Sequence, residues 1–333
     1  MTAHEPSAQA SGSVPVPVPG VGSARRPRVW PVYAIVFAAA FLAVLLTTVL
    51  MAAVLAGGSL LAASAGLSEA ALARFSVRLQ EEASTGLLGL VLGGVTAVFV
   101  LALLSVLGNW RAGRSAKPAP SPESERLVER LRIDVASPVD VGLTVLGFLG
   151  LGLLIDEVVA AFALDRSGSL AAFNESIASV HGLDRVLLAL FLGLGAGVSE
   201  EMFFRGFVLN RLWSLRGRAH ALFASSLLFG AFHADLVHST LATLMGFYLG
   251  ACFVHSRSLL ATVAAHALNN ILVVLLFDVH LTLGPRYPLG WEPEGVGVGA
   301  GFSILSVAGA LTSVVCLLAL VRRHRGESAT RVW

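Results

Sequence analysis

Three short stretches of this chain hold side chains that could do chemistry in an apolar setting. The first is Gly197-Val198-Ser199-Glu200-Glu201-Met202-Phe203-Phe204-Arg205-Gly206, with two adjacent carboxylates and an arginine inside a long apolar run. The second is Phe229-Gly230-Ala231-Phe232-His233, and the third is Ala265-His266-Ala267-Leu268-Asn269-Asn270. An ionised carboxylate at bilayer depth costs several kcal/mol unless it is paired or hydrated, so each of these groups needs a partner or a function. Helical spacing divides the two acids. Glu201 and Arg205 are four apart and share a face, so they can form an ion pair. Glu200 points about 100° away and needs a partner from elsewhere in the chain. His266 and Asn270 are also four apart and share one face.

A carboxylate, two imidazoles and an amide on neighbouring helices supply a general base and donors for an oxyanion. Glu200 with His233 could polarise a water that attacks an amide carbonyl, with His266 and Asn270 donating to the tetrahedral oxyanion. Alternatively, Glu200, His233 and His266 could hold a divalent metal such as zinc, since two histidines and a carboxylate form a catalytic zinc set. The spacing leaves both open. Ser199, Ser225 and Ser226 have no base partner in sequence, and Ser199 is expected to hydrogen-bond its own helix backbone. No H-E-x-x-H motif is present.

The elements that must carry these groups are membrane spans. Of the 333 residues, 56% are hydrophobic and 13% charged, and the mean hydropathy is +0.79. A soluble domain carries about 25% charged residues. The expected fold is all-α: a polytopic membrane protein of about eight transmembrane helices. The apolar runs lie near 29–56, 86–107, 139–164, 186–209, 219–233, 241–254, 259–277 and 298–321. The fifth and sixth are near the lower limit for a crossing. The net charge of +2 does not point to nucleic acid. The basic residues, all arginine except Lys117, sit in short loops where they report topology. They place the N- and C-termini in the cytoplasm of a multi-pass cell-membrane protein. Cys252 and Cys316 read as small buried hydrophobes rather than a disulfide or a thiolate site.

Residues 1–24, rich in Pro, Ser and Gly, read as a disordered tail. Residues 25–137 hold two spans and a polar linker, with a candidate interfacial helix around Glu69, Arg74, Arg78, Glu81 and Glu82, and a second over 123–133. Residues 138–325 form the membrane domain that carries the motifs, and 326–333 form a C-terminal tail. Asp156 and Glu157, near the end of the third span, read as a solvated charge pair, and 165–185 as a loop. The helical rise puts His233 roughly 21 Å into the fifth span and His266 roughly 10 Å into the seventh. Counted from the cytoplasmic ends, this places the group in the cytoplasmic half or middle of the bilayer, beside water entering from the cytoplasm.

E-E-x-x-x-R at Glu200, Glu201 and Arg205, F-x-x-x-H at Phe229 and His233, and H-x-x-x-N at His266 and Asn270, in this order on successive spans, resemble the type II CAAX prenyl endopeptidase family. This family, also called CPBP or Abi, includes bacteriocin-immunity and lysostaphin-resistance-like proteins. The resemblance covers about residues 185–280. It implies an all-helical intramembrane protease core and an endopeptidase that hydrolyses a peptide bond of a membrane-associated substrate. It also implies that Glu200 and His233 activate the water and that His266 and Asn270 stabilise the oxyanion. Glu201, Arg205 and Phe229 are then structural support. The water mechanism requires no metal cofactor, although family members are often labelled metalloproteases. Family members in eukaryotes cleave a prenylated C-terminal tripeptide. The Arg/Ala/Gly-heavy composition here favours a membrane-anchored peptide or protein substrate within the lipid bilayer. Two other classes compete: a proton-coupled membrane transporter using the buried acids, and a non-catalytic immunity or scaffold protein. The absence of an inverted repeat between the halves disfavours the transporter.

Overall fold

A computed structural model describes residues 28–84, 86–114, 137–166, 168–233, 235–277 and 304–325. Every regular element among them is helical. We number the helices α1 (Trp30–Ser64), α2 (Glu69–Ser84), α3 (Leu87–Arg114), α4 (Pro138–Ala161), α5 (Gly168–Ala178), α6 (Gly182–Arg216), α7 (Arg218–Ala231), α8 (Leu236–Ser256), α9 (Leu259–Leu275) and α10 (Ile304–Arg323). The chain is an all-α polytopic membrane protein. Among the described residues six helices are long and apolar enough to cross a bilayer: α1, α3, α4, α6, α8 and α10. The other two expected spans are helices of 14 and 17 residues, α7 and α9. At 1.5 Å per residue α7 reaches only roughly 21 Å, short of a full hydrocarbon core. The expected count of eight is thus six long helices and two short ones.

The shortness of α7 has a local cause. It starts after Gly217, whose φ of 87° reverses the chain directly behind α6. It ends at Ala231, where the backbone N–H of Phe232 closes onto Leu228. The following residues turn back into α8, whose first turn is capped by Asp235 accepting from the His238 N–H at 2.9 Å. The end of this short helix carries His233, whose ring packs on Phe229 at 5.3 Å.

The α6 helix is not uniform. The segment Gly197–Glu201 is α-helical, but it is flanked by π-helical stretches at Phe191–Ala196 and Met202–Leu209. Wider i→i+5 turns of this kind are rare and concentrate at functional sites. They also shift the phase of the side chains that follow.

The candidate interfacial segment around Glu69 is helix α2. The predicted loop over 165–185 holds α5 and the first turn of α6, and Arg185 there is buried. It donates through Nε to the Val180 carbonyl at 2.8 Å, and a second donor reaches Ile177. Glu157 departs from its expected solvated state: it is buried, because α4 presents that face to the bundle rather than to a loop. The helix expected over 123–133, the two tails and the loop after the seventh span lie outside the described residues.

α4 and α10 meet along backbone. A Cβ on Gly150 would press on the Gly309 carbonyl, and Ser313 Oγ donates to the Gly147 carbonyl at 2.8 Å. At one end of this pair the buried Asp140 accepts from Arg323 Nε at 3.0 Å and faces His324 Nε2 at 3.1 Å. Asp140→Ala should lower stability by about 2 kcal/mol, a value kept modest because Arg323 is half-exposed. Thermal unfolding in detergent would read this, and an unchanged midpoint would show that the clasp contributes nothing.

Candidate active site

The centre forms where α6 and α9 touch. Gly193 and Gly197 lie four apart on α6, and a Cβ on Gly197 would sit 2.9 Å from the backbone of Ala267. Small residues at such spacing let two membrane helices approach backbone to backbone. This approach brings His266, next to Ala267, against the acids of α6.

Glu201 is fully buried and Arg205 is 1% exposed. Glu201 Oε1 accepts from Arg205 Nη1 at 2.6 Å and from His266 Nδ1–H at 2.9 Å. Arg205 Nη2 donates to the Gly246 carbonyl on α8 at 3.0 Å. The guanidinium stacks over the Phe229 ring at 4.6 Å. A Cβ on Gly246 would press on that ring at 2.8 Å, so glycine keeps the carbonyl within reach. A buried pair survives only when the remaining hydrogen-bonding groups are also met, and three helices contribute here. The other oxygen, Glu201 Oε2, has no hydrogen-bond partner among the described residues.

Glu200 behaves as its spacing predicts and takes no part in that pair. Its side chain is 13% exposed, and Oε2 stands 4.0 Å from His266 Nε2. His266 therefore sits between the two carboxylates. Glu201 fixes the ring through Nδ1–H, and Nε2 faces Glu200. A carboxylate on one imidazole nitrogen sets the tautomer and the orientation of the other. A separation of 4.0 Å exceeds a direct hydrogen bond.

His233 is arranged differently from expectation. Its Nδ1–H donates to the Phe229 carbonyl at 3.1 Å, which leaves Nε2 as an acceptor in the neutral ring. Its ring packs on Phe229 at 5.3 Å, and Phe229 packs in turn on His266 at 6.0 Å. Phe229 is thus the common wall of Arg205, His233 and His266. Asn270 is half-buried, one turn beyond His266 on α9. The expected partner of Glu200 was His233; the partner within reach here is His266.

Sequence reasoning missed His238. Its ring centroid lies 4.4 Å from that of His233, and it is within charge–charge range of Glu200. Ser169 Oγ on α5 is hydrogen-bonded to His238 Nδ1 at 3.4 Å. The hydrogen bond from the His238 N–H, assisted by the Ser169 N–H, holds the Asp235 carboxyl below its usual range. The available signal was a second histidine five residues after the first, at the opening of a helix, a spacing that shares no face in a continuous helix.

The other candidates can be sorted by position. Ser199 Oγ donates to the Gly195 carbonyl at 2.7 Å, and Ser225 and Ser226 both donate to Leu222, so each hydroxyl serves its own helix. Cys252 and Cys316 are free and buried. Among the described residues no three His, Cys, Asp or Glu side chains are placed to hold a metal ion, so Glu200, His233 and His266 do not fit one as they stand.

Comparison with known proteins bears on the same segment. Residues 182–272 match the Rce1-like family, described as type II CAAX prenyl endopeptidase Rce1-like. A curated relative from Bacillus subtilis (strain 168), named "Putative membrane peptidase YdiL", is 29% identical over 90 residues. That alignment covers 27% of this chain and 37% of the relative, so the chain spans little more than a third of the length of the relative it matches. No solved structure matches the chain significantly. The matched segment holds Glu200, Glu201, Arg205, His233, His266 and Asn270, so the similarity to the type II CAAX prenyl endopeptidase Rce1-like family falls on the segment that builds this centre.

Proposed function

We propose that this chain is an endopeptidase that hydrolyses a peptide bond of a membrane-anchored peptide or protein with water activated by Glu200. The observation that carries the reading is the division of labour around His266. Glu201 is consumed by Arg205 and by His266 Nδ1–H, while Glu200 is left facing Nε2 across 4.0 Å. A base must keep a lone pair open to the water it deprotonates and lie within one water of its target.

In this reading Glu200 takes a proton from the water, and the oxygen attacks the scissile carbonyl carbon. The oxyanion that forms is met by donors on α9: the Nε2–H of protonated His266, with Asn270 one turn further along. Glu201 stabilises that imidazolium through Nδ1–H, as an acid behind a histidine does in hydrolases. The C–N bond breaks, and the proton on Glu200 passes to the leaving amine. His233 orients the water through Nε2. The placement of the side chains supports a metal-free form. The protein resides in the plasma membrane with both termini in the cytoplasm, in line with its arginine-rich loops.

The test uses purified protein and a peptide library. His266→Ala should slow cleavage by roughly 10²–10³-fold, because the oxyanion donor and the partner of Glu200 go together. Cleavage should persist in a strong zinc chelator. If activity is lost in chelator and restored by zinc, the metal-free form is wrong. If His266→Ala cleaves at the full rate, the assignment of the centre is wrong.

A further inference from the structure

The polar groups near the centre are distributed unevenly along the bundle. One end is rich in arginine: α6 finishes at Arg216, α7 begins at Arg218, and Arg323 clasps Asp140 at the start of α4. Between the centre and that end the bundle is packed with buried side chains, mostly apolar, and its buried hydroxyls on Thr262, Ser225 and Ser226 bond back to their own helices. Phe203, Leu209, Leu249, Phe253 and Leu259 are each 2% exposed or less.

The opposite end differs. α9 runs away from Arg257, so Asn270 lies beyond His266 on the far side of the centre. His233 and His238 follow at the α7–α8 turn, then Asp235 and Ser169, where the Ser169 N–H donates to Asp235 Oδ2 at 3.4 Å. None of these five side chains is fully buried. Gly168, with φ of 69°, lets α5 approach, since a Cβ there would stand 2.7 Å from Asp235. Two imidazoles, a carboxylate, an amide and a hydroxyl in a row are costly against lipid and stable only where water reaches them. The turn itself is non-helical backbone, which membrane proteins tolerate beside a wet path.

We propose that water and the peptide reach Glu200 and His266 from the arginine-poor end, past Ser169, Asp235 and His238. This rests on the protease reading for the peptide but not for the water. The arginine bias assigns that end to the non-cytoplasmic face. The substrate is then an extended segment exposed outside the cytoplasm, and the entry expected from the cytoplasm is replaced by one from the other side.

Two arms on the full-length protein in oriented vesicles test this, with the native cysteines buried and so giving low background. In the first, Asn270→Cys is exposed to a small charged thiosulfonate from either face. Leu236→Cys, beside Asp235 and replacing a leucine that is 85% exposed, marks one face, and Arg216→Cys marks the other. Reaction at position 270 should be about tenfold faster from the Leu236 face, because thiol reactivity follows access to water. Equal rates, or faster reaction from the Arg216 face, overturn the proposal. In the second arm a bulky impermeant maleimide is attached to each marker. Cleavage should fall about tenfold or more when Leu236→Cys is modified, as the label blocks the entrance on which catalysis depends. It should be nearly unchanged for Arg216→Cys, and the reverse pattern overturns the proposal. If the unlabelled protein cleaves no peptide, the protease reading fails, while the first arm still decides the route.

Discussion

Glu200→Gln should abolish peptide cleavage, by roughly 10²–10⁴-fold if the carboxylate is the general base, while the protein remains folded. The two side chains have the same shape, so the wall beside His266 is kept. What changes is that an amide cannot accept the proton of the attacking water. Stability should hold or rise, because His266 Nε2 stands 4.0 Å from Glu200, beyond a direct hydrogen bond, and the carboxylate is nearly enclosed. This combination separates catalysis from folding. Measured kcat on a cleaved peptide, with the unfolding midpoint taken on the same preparation, gives both. A Glu200→Gln protein with wild-type turnover would remove this residue from the chemistry. Loss of turnover together with loss of fold would make Glu200 structural. Glu201→Gln should differ, because it disturbs Arg205 and the orientation of His266 at once.

The second large effect concerns Arg205. Arg205→Met leaves the Glu201 carboxylate buried without its cation, beside the donors His266 and Thr262. It also removes the donor to the Gly246 carbonyl and the stacking on Phe229. Breaking a buried pair from one side costs about 3–5 kcal/mol, a large part of the 5–15 kcal/mol that typically holds a domain together. The expected results are poor yield and a sharply lower unfolding midpoint. The double variant Glu201→Gln with Arg205→Met should recover much of the loss, since no uncompensated charge remains and the coupling within a contacting pair is not additive. If the double variant is as unstable as Arg205→Met alone, the buried carboxylate is not the cause. If Arg205→Met unfolds like the wild type, the pair is not a structural element at all.

The Glu201–Arg205 pair was legible in the chain because it depends only on separation along one helix, which the local backbone fixes. The same holds for the hydroxyl of Ser199, which bonds back to its own turn. The apolar runs were legible because the bilayer demands length and composition. The midpoint of α6 was less so. Its π-helical stretches change the angle between successive residues, and periodicity read at 100° per residue does not register them.

Partnerships between helices were not legible. That His266 rather than His233 stands beside Glu200 follows from the approach of Gly197 to Ala267, a contact between residues far apart in sequence. Glu157 looked like an end-of-span charge and is buried because of the neighbours α4 acquires. His238 looked like an ordinary residue at a helix start, and the turn that folds it back onto His233 exists only because α7 stops short.

By itself, then, the sequence determined an all-helical membrane chain, the internally neutralised acid Glu201, and the set of polar side chains carried by apolar segments. Each of these is a property of a single segment in a given solvent. The tertiary structure decided which imidazole serves which carboxylate, that His238 joins the group, and on which side of the centre the polar groups lie. Those depend on the distances at which separate helices pack, and packing distance is set by residues such as Gly193, Gly197 and Gly246, whose role is to leave room.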